Sequence, residues 1–124
     1  MTDLLKARCI YLVRQRALSI CPESYPGAIV MPCEVCGHWG YPRELHHRQF
    51  RSRQGLWVPS NILLLCPACH LMATDEKTSP GVNVHSWEDP LAVPVQLWYV
   101  DAPVYLDNRG GYSPCCRYDT LDNG

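Results

Sequence analysis

The spacing of four cysteines constrains this chain more than any other feature. Cys33/Cys36 and Cys66/Cys69 both have C-x2-C spacing, and 29 residues separate the two pairs. Because a C-x2-C knuckle brings two thiolates to one tetrahedral ion, the two pairs predict a four-cysteine zinc site. The alternative is that the pairs are accidental or redox-active. Zinc binding to such a site contributes on the order of 10 kcal/mol to folding.

The composition of the chain fits a small domain that needs this additional stabilisation. The 124 residues include one Phe, 11 Pro and 8 Gly, so buried apolar area alone would stabilise the fold weakly and a large enzyme core is excluded. Lys6 and Arg8 interrupt the N-terminal apolar residues, and the longest apolar run, 62–66, is too short to span a bilayer. We therefore expect a cytoplasmic protein with reduced thiols and no membrane partner.

The net charge of −1 conceals an uneven distribution of charge along the chain. Residues 1–53 carry eight Lys/Arg against four acids, a balance of +4, whereas residues 54–124 carry three against eight, a balance of −5. The cations of the first half lie before or between the cysteine knuckles. A local positive surface there could contact nucleic-acid phosphates.

Residues 1–31 are predicted to form an N-terminal helix and a linker. Over 3–18, Leu5, Cys9, Leu12 and Val13 fall on one helical face, although Arg16 lies within that face. The four cations of this helix are predicted to face solvent rather than to contact DNA. They are Lys6, Arg8, Arg14 and Arg16.

Residues 32–75 are predicted to form an α+β core in the order strand, loop, strand, helix. The first strand is expected over 44–47, the second extended stretch near Trp57, and the helix from His70. Residues 76–124 form a proline-punctuated extension that we expect to be rich in β-structure. Its predicted features are short strands at 93–95, 97–100 and 104–106 and a hairpin turn over 107–111.

Three histidines stand between and just after the knuckles. Because adjacent residues of a strand point to opposite faces, His46 and His47 cannot bind one ion in the same way, and one can be a ligand while the other is a base. The second knuckle would hold a helix starting at His70 beside this strand. His46 and His70 could therefore converge on a second metal ion.

The chain resembles the HNH endonuclease signature at three points: the run from Leu45 to Arg48, Asn61, and the second knuckle with His70 directly after it. The resemblance covers residues 32–74 and is close to the small zinc-clipped HNH proteins of bacteriophages. It implies a ββα-metal (treble-clef-like) core in which His46 and His70 hold a catalytic ion and His47 is the general base. Asn61 would hydrogen-bond across the loop between the strands, with a turn-capping role as the alternative. Two protein ligands leave coordination positions open, which suits Mg²⁺, Mn²⁺ or Ni²⁺.

The resemblance also implies an activity, the hydrolysis of phosphodiester bonds in double-stranded DNA by nicking or double-strand cleavage. The alternative is a non-catalytic zinc-dependent module that binds DNA or protein. Arg48, Arg51 and Arg53 are expected to contact backbone phosphates, or else to be solvated loop cations. Some HNH proteins carry a further ligand four residues after the final histidine, where this chain has Thr74. A phage-encoded protein would act in the host cytoplasm, as a homing-type nuclease or beside DNA-packaging (terminase) proteins.

Overall fold

The computed structural model describes residues 3–19, 30–50 and 56–114 of the chain. Within these ranges two α-helices accompany three two-stranded antiparallel sheets, in agreement with the predicted mixture of helix and strand. The elements are α1 (Asp3–Ser19), β1 (Met31–Pro32), β2 (Trp39–Gly40), β3 (Glu44–His47), β4 (Ile62–Leu65), α2 (Pro67–Thr74), β5 (Val104–Leu106) and β6 (Tyr112–Pro114). No helix in the described part of the chain combines the length and the apolar character needed to cross a membrane.

The N-terminal helix is present as predicted, but its buried face differs from the prediction. Cys9, Val13, Arg16 and Ala17 are buried, whereas Leu5 is 54% exposed. Assigning Arg16 to a solvated face is therefore wrong. Its guanidinium makes two hydrogen bonds to the Glu34 carboxylate, at 2.7 and 2.9 Å.

The buried ion pair joins α1 to the rest of the chain. Arg16 also donates to the carbonyl oxygens of Pro59 (2.9 Å) and Ile62 (2.6 Å). Burial by itself would lower the pKa of Arg16, but the Glu34 carboxylate reverses this effect and the net shift of the pKa is upward. The guanidinium therefore stays charged inside the fold.

The second strand of the central hairpin is β4, and the extended stretch expected near Trp57 is not a strand. β4 pairs with β3 in antiparallel register, with His46 opposite Leu63 and His47 opposite Ile62. All four side chains of β4 are buried because the strand separates two apolar clusters. Leu63 and Leu65 belong to one cluster, and Ile62 and Leu64 pack with α1 in the other. A continuous apolar run is the pattern of a strand that is covered on both faces.

The second helix begins three residues earlier than predicted, at Pro67 rather than His70. Backbone N–H groups in the first turn of a helix have no acceptor within the helix. Proline, which lacks an N–H, therefore loses no hydrogen bond there and is favoured. Cys66 caps this end, and its Sγ accepts a hydrogen bond from the Cys69 N–H at 3.4 Å. α2 contacts both β3 and β4, so His70 lies beside the strand that carries His46 and His47.

Residues 76–114 pack on the same apolar cluster as the central hairpin. The extension contributes five buried residues to that cluster: Val82, Val95, Leu97, Val104 and Leu106. The turn over 107–111 connects β5 to β6, and the Asp107 carboxylate accepts two backbone hydrogen bonds within it. The stretches 93–95 and 97–100, expected as strands, contribute one β-bridge, between Val95 and Val104.

Candidate active site and candidate metal centre

The four cysteines of the two knuckles lie together. Their Sγ atoms are all within 4.8 Å of one another. In a tetrahedral site with metal–sulfur bonds of about 2.3 Å, neighbouring sulfurs are about 3.8 Å apart. Cys36 Sγ and Cys66 Sγ are 3.8 Å apart. The donor set and its spacing therefore fit a tetrahedral metal ion such as zinc.

Gly37 closes the first knuckle and allows the extension to cover it. Its φ of +80° is one that residues with a side chain rarely adopt. A Cβ at this position would also lie 2.5 Å from Cδ2 of Trp98. The indole of the extension is thus packed directly against the backbone of the knuckle.

Three histidines line a second site, an open cleft of about 260 Å³ between β3 and α2. We call the cleft lined by His46, His47 and His70 the histidine cleft. The ring centroids of His46 and His70 are 5.3 Å apart, and the ring planes meet at 72°. His47 packs edge-on against Trp57, with the centroids 4.5 Å apart. The three histidines that the sequence singles out therefore border one cleft, with His46 and His70 in ring contact and His47 against Trp57.

A carboxylate orients His70 within the cleft. Nδ1 of His70 lies 2.6 Å from Oε1 of Glu44. Because this contact engages Nδ1, the nitrogen left to bind a metal ion is Nε2, and such carboxylate–histidine contacts are typical of metal sites. Glu44 is a site residue that was not predicted from the sequence. The available signal was its position two residues before His46, which places both on one face of β3.

An amide from the extension orients His46. Oδ1 of Asn83 lies 2.7 Å from Nε2 of His46, and Nδ2 of Asn83 donates to the Ala73 carbonyl oxygen at 2.5 Å. Since that donation fixes which end of the amide faces the imidazole, Nε2 carries the proton and Nδ1 is left to bind a metal ion. Burial also lowers the pKa of His46, which favours its neutral, ligating form. No motif in the sequence pointed to Asn83.

Asn61 ties together the two ends of the loop that follows β3. Its buried side chain accepts the Gln49 N–H at 2.7 Å. It also donates to the carbonyl oxygens of Gln49 (3.2 Å) and Leu56 (2.9 Å). Asn61 therefore makes hydrogen bonds across this loop, as the sequence analysis expects, and its effect on the orientation of His47 stays a prediction.

One segment of the chain matches the model of a known family. Residues 33–76 match the family model of the HNH endonucleases. This HNH segment, as we call it, contains the four cysteines, the three histidines of the cleft and Asn61. Comparison with curated proteins and comparison with solved structures gave no significant match. Asn83, the partner of His46, lies outside the HNH segment.

Arg48 of the HNH segment is buried, so its assignment as a phosphate-contacting residue is wrong. Its side chain is fully covered and donates to four carbonyl oxygens, those of Ser60, Gly81, Pro90 and Val93, at 2.6–3.2 Å. Burial, and next the charge of Arg16, lower the pKa of Arg48 to about 10, which leaves it charged at neutral pH. Arg48 holds residues 81–93 against β3. Arg51 and Arg53 lie outside the described residues.

Replacing Arg48 with methionine is expected to lower the free energy of unfolding by about 3 kcal/mol or more, because four buried carbonyl groups lose their donors together. Urea unfolding of both proteins measures the change. Arg14→Met on the exposed side of α1 is the matched control and should change stability by about 0.5 kcal/mol or less. Equal midpoints for the two variants would contradict a buried structural role for Arg48.

Proposed function

We propose that this protein is a metal-dependent endonuclease that hydrolyses phosphodiester bonds of DNA, by nicking or by double-strand cleavage. The observation that carries the proposal is the convergence of His46, His47 and His70 on one cleft within a segment that matches the HNH endonuclease model. The order β3, β4, α2 around that cleft supports a ββα-metal core.

His46 and His70 are the proposed ligands of the catalytic ion. In each imidazole one nitrogen is engaged, by Asn83 or by Glu44, so the other is left for the metal ion. A Mg²⁺, Mn²⁺ or Ni²⁺ ion bound there would supply positive charge against the developing charge on the phosphate and on the leaving 3′ oxygen. The four cysteines would hold a separate, structural zinc ion.

His47 is the proposed general base. An imidazole with an ordinary pKa of about 6.5 accepts a proton from water at neutral pH. The T-shaped contact with Trp57 restrains the His47 ring, and the Asn61 hydrogen bonds fix the chain two residues beyond it. His47 would take the proton from the water that attacks the phosphorus, and the attack would proceed in line with the leaving oxygen.

Purified wild-type protein is expected to convert supercoiled plasmid to nicked or linear DNA when Mg²⁺, Mn²⁺ or Ni²⁺ is added. His47→Ala should lower the rate by about 100-fold or more, since general-base catalysis contributes that much. Gel analysis of plasmid topology measures both rates. Arg14→Met is the control and should cleave at the wild-type rate. Equal residual cleavage by wild type and His47→Ala would refute the catalytic assignment.

A non-catalytic binding module on the same fold is the second candidate. The observation in its favour is Thr74, whose hydroxyl donates to the His70 carbonyl oxygen at 3.0 Å. This hydroxyl replaces the third ligand of some HNH proteins, which leaves two histidines for the ion. Binding of DNA, with no nicking in the presence of Mg²⁺, Mn²⁺ or Ni²⁺, would favour this candidate.

A further inference from the structure

The turn at residues 85–88 presents two stacked aromatic rings to solvent. The rings of His85 and Trp87 are parallel to within 3°, and their centroids are 4.6 Å apart. Trp87 is 77% exposed, the second most exposed large apolar side chain among the described residues. The imidazole covers one face of the indole and the other face is open. We call His85 and Trp87 the stacking platform.

The turn that carries the stacking platform is held in place by its own hydrogen bonds. The Glu88 N–H donates to the His85 carbonyl oxygen at 3.0 Å, and the His85 N–H donates to the Glu88 carboxylate at 2.9 Å. Because the platform is organised before binding, a ligand would pay little entropy to order it. The Glu88 carboxylate is engaged within the turn, and the Asp89 carboxylate accepts the Leu91 N–H at 3.0 Å.

Gln49 fastens this turn to the strand of the candidate active site. Its Nε2 donates to the carbonyl oxygens of Ser86 and Glu88, at 3.0 Å each, and more weakly to that of His85 at 3.4 Å. The backbone of Gln49 is in turn bonded to Asn61 and lies two residues after His47. The platform and the proposed general base are therefore connected through a single short segment of chain.

A cavity of about 330 Å³ adjoins the histidine cleft and is bordered by His85 of the stacking platform. Phe50 lines both the cavity and the cleft. Asn83 and His85 also line the cavity, and Asn83 contacts the His46 imidazole. The cavity is therefore bordered by the partner of a proposed metal ligand, Asn83, and by one ring of the platform, His85.

We propose that the stacking platform binds an unpaired nucleobase next to the phosphate that is cleaved. The proposal rests on the proposed endonuclease function and names its substrate class, DNA with unpaired nucleotides at the cleavage site, such as gaps or branch points. Every nucleobase offers a π-face that stacks on an aromatic ring, so the platform would be tolerant of sequence. A base within an intact duplex is already stacked on both sides and cannot lie on Trp87 without first leaving the helix.

Fluorescence anisotropy with labelled oligonucleotides tests this proposal. Zinc-loaded wild-type protein, without Mg²⁺, Mn²⁺ or Ni²⁺, is titrated into a duplex with a short single-stranded gap and into the fully paired duplex of the same sequence. We expect wild type to bind the gapped DNA more tightly. Trp87→Ala should weaken that binding by about tenfold, the loss of one base–aromatic stack, and leave the paired duplex unaffected.

Two further variants keep the test specific. Trp87→Phe preserves an aromatic face and should retain most of the preference for gapped DNA. Tyr11→Ala removes an exposed aromatic ring from α1 and should retain all of it. Trp87 packs on no core cluster, so Trp87→Ala should keep the wild-type melting temperature, and a melting curve checks this.

The outcomes separate this proposal from the proposed function. Equal affinity of wild type and Trp87→Ala for the gapped DNA would overturn it and leave protein docking as the use of the platform. An equal loss of affinity for both DNAs would overturn it too, since stacking on an unpaired base requires discrimination. A Trp87-dependent preference for gapped DNA, with no cleavage of gapped DNA or of plasmid with any of the three metals, would support the platform and overturn the endonuclease proposal alone.

Discussion

Chelation of the zinc ion proposed at the four cysteines is expected to unfold the HNH segment. Cys33 and Cys69 are buried in the apolar cluster that also contains Leu63 and Leu65 of β4 and side chains of the extension, and Cys36 and Cys66 pack against it. Metal binding at such a site contributes about 10 kcal/mol, which is comparable with the whole stability of a small domain, about 5–15 kcal/mol. Treatment with a strong zinc chelator should therefore abolish the cooperative thermal transition seen by circular dichroism.

A substitution separates loss of the metal from loss of any buried thiol. Cys69→Ser should reduce the bound zinc, measured by mass spectrometry of the metal, and lower the melting temperature sharply. Cys9→Ala removes a thiol buried between α1 and β4, outside the sulfur cluster. It should keep a full complement of zinc and lose only about 1–2 kcal/mol of stability. A chelated protein with an unchanged melting curve would contradict the expected role of the four cysteines.

The features that could be predicted from sequence are those fixed by near neighbours. The C-x2-C spacing alone places two sulfurs on each knuckle, and the structure brings both pairs together. The helix over 3–18 and the strand over 44–47 were correctly located from their periodicity and punctuation. The convergence of His46 and His70 followed from their position on a strand and a helix that the second knuckle holds together.

The features that could not be predicted depend on partners distant in the chain. His46 and Asn83 are 37 residues apart, and the Arg48 guanidinium reaches carbonyl groups up to 45 residues away. Nothing in the local sequence of an arginine distinguishes a residue that faces phosphate from one buried among carbonyl groups. The second strand was predicted near Trp57 instead of at β4 for a related reason. An extended stretch near Trp57 and a fully buried strand after Asn61 can be told apart only when the elements that cover the strand are known.

Arg16 is the case in which the sequence did carry a signal. A cation within an otherwise apolar helical face is costly unless a buried partner compensates it. The partner is Glu34, which follows directly after the first cysteine of the first knuckle and lies 18 residues away. Its carboxylate also accepts the Leu64 N–H of β4 at 2.9 Å. The ion pair therefore connects α1, the first knuckle and the central hairpin.

Arg16→Met is expected to lower the free energy of unfolding by about 3–5 kcal/mol, because it leaves the Glu34 carboxylate buried without its counter-charge. The carbonyl groups of Pro59 and Ile62 lose a donor at the same time. Urea unfolding followed by circular dichroism measures the change, with Arg14→Met on the exposed side of the same helix as the control.

The double variant Arg16→Met/Glu34→Leu separates two quantities: the destabilisation caused by one buried charge without a partner, and the net contribution of the ion pair to the free energy of unfolding. Since it removes both charges, it should lose less stability than the two single variants lose in total, and the difference is their coupling energy. The Leu64 N–H would be left unsatisfied, so recovery should be incomplete. Additive losses in the double variant, or equal midpoints for Arg16→Met and Arg14→Met, would contradict a buried, coupled ion pair between α1 and the HNH segment.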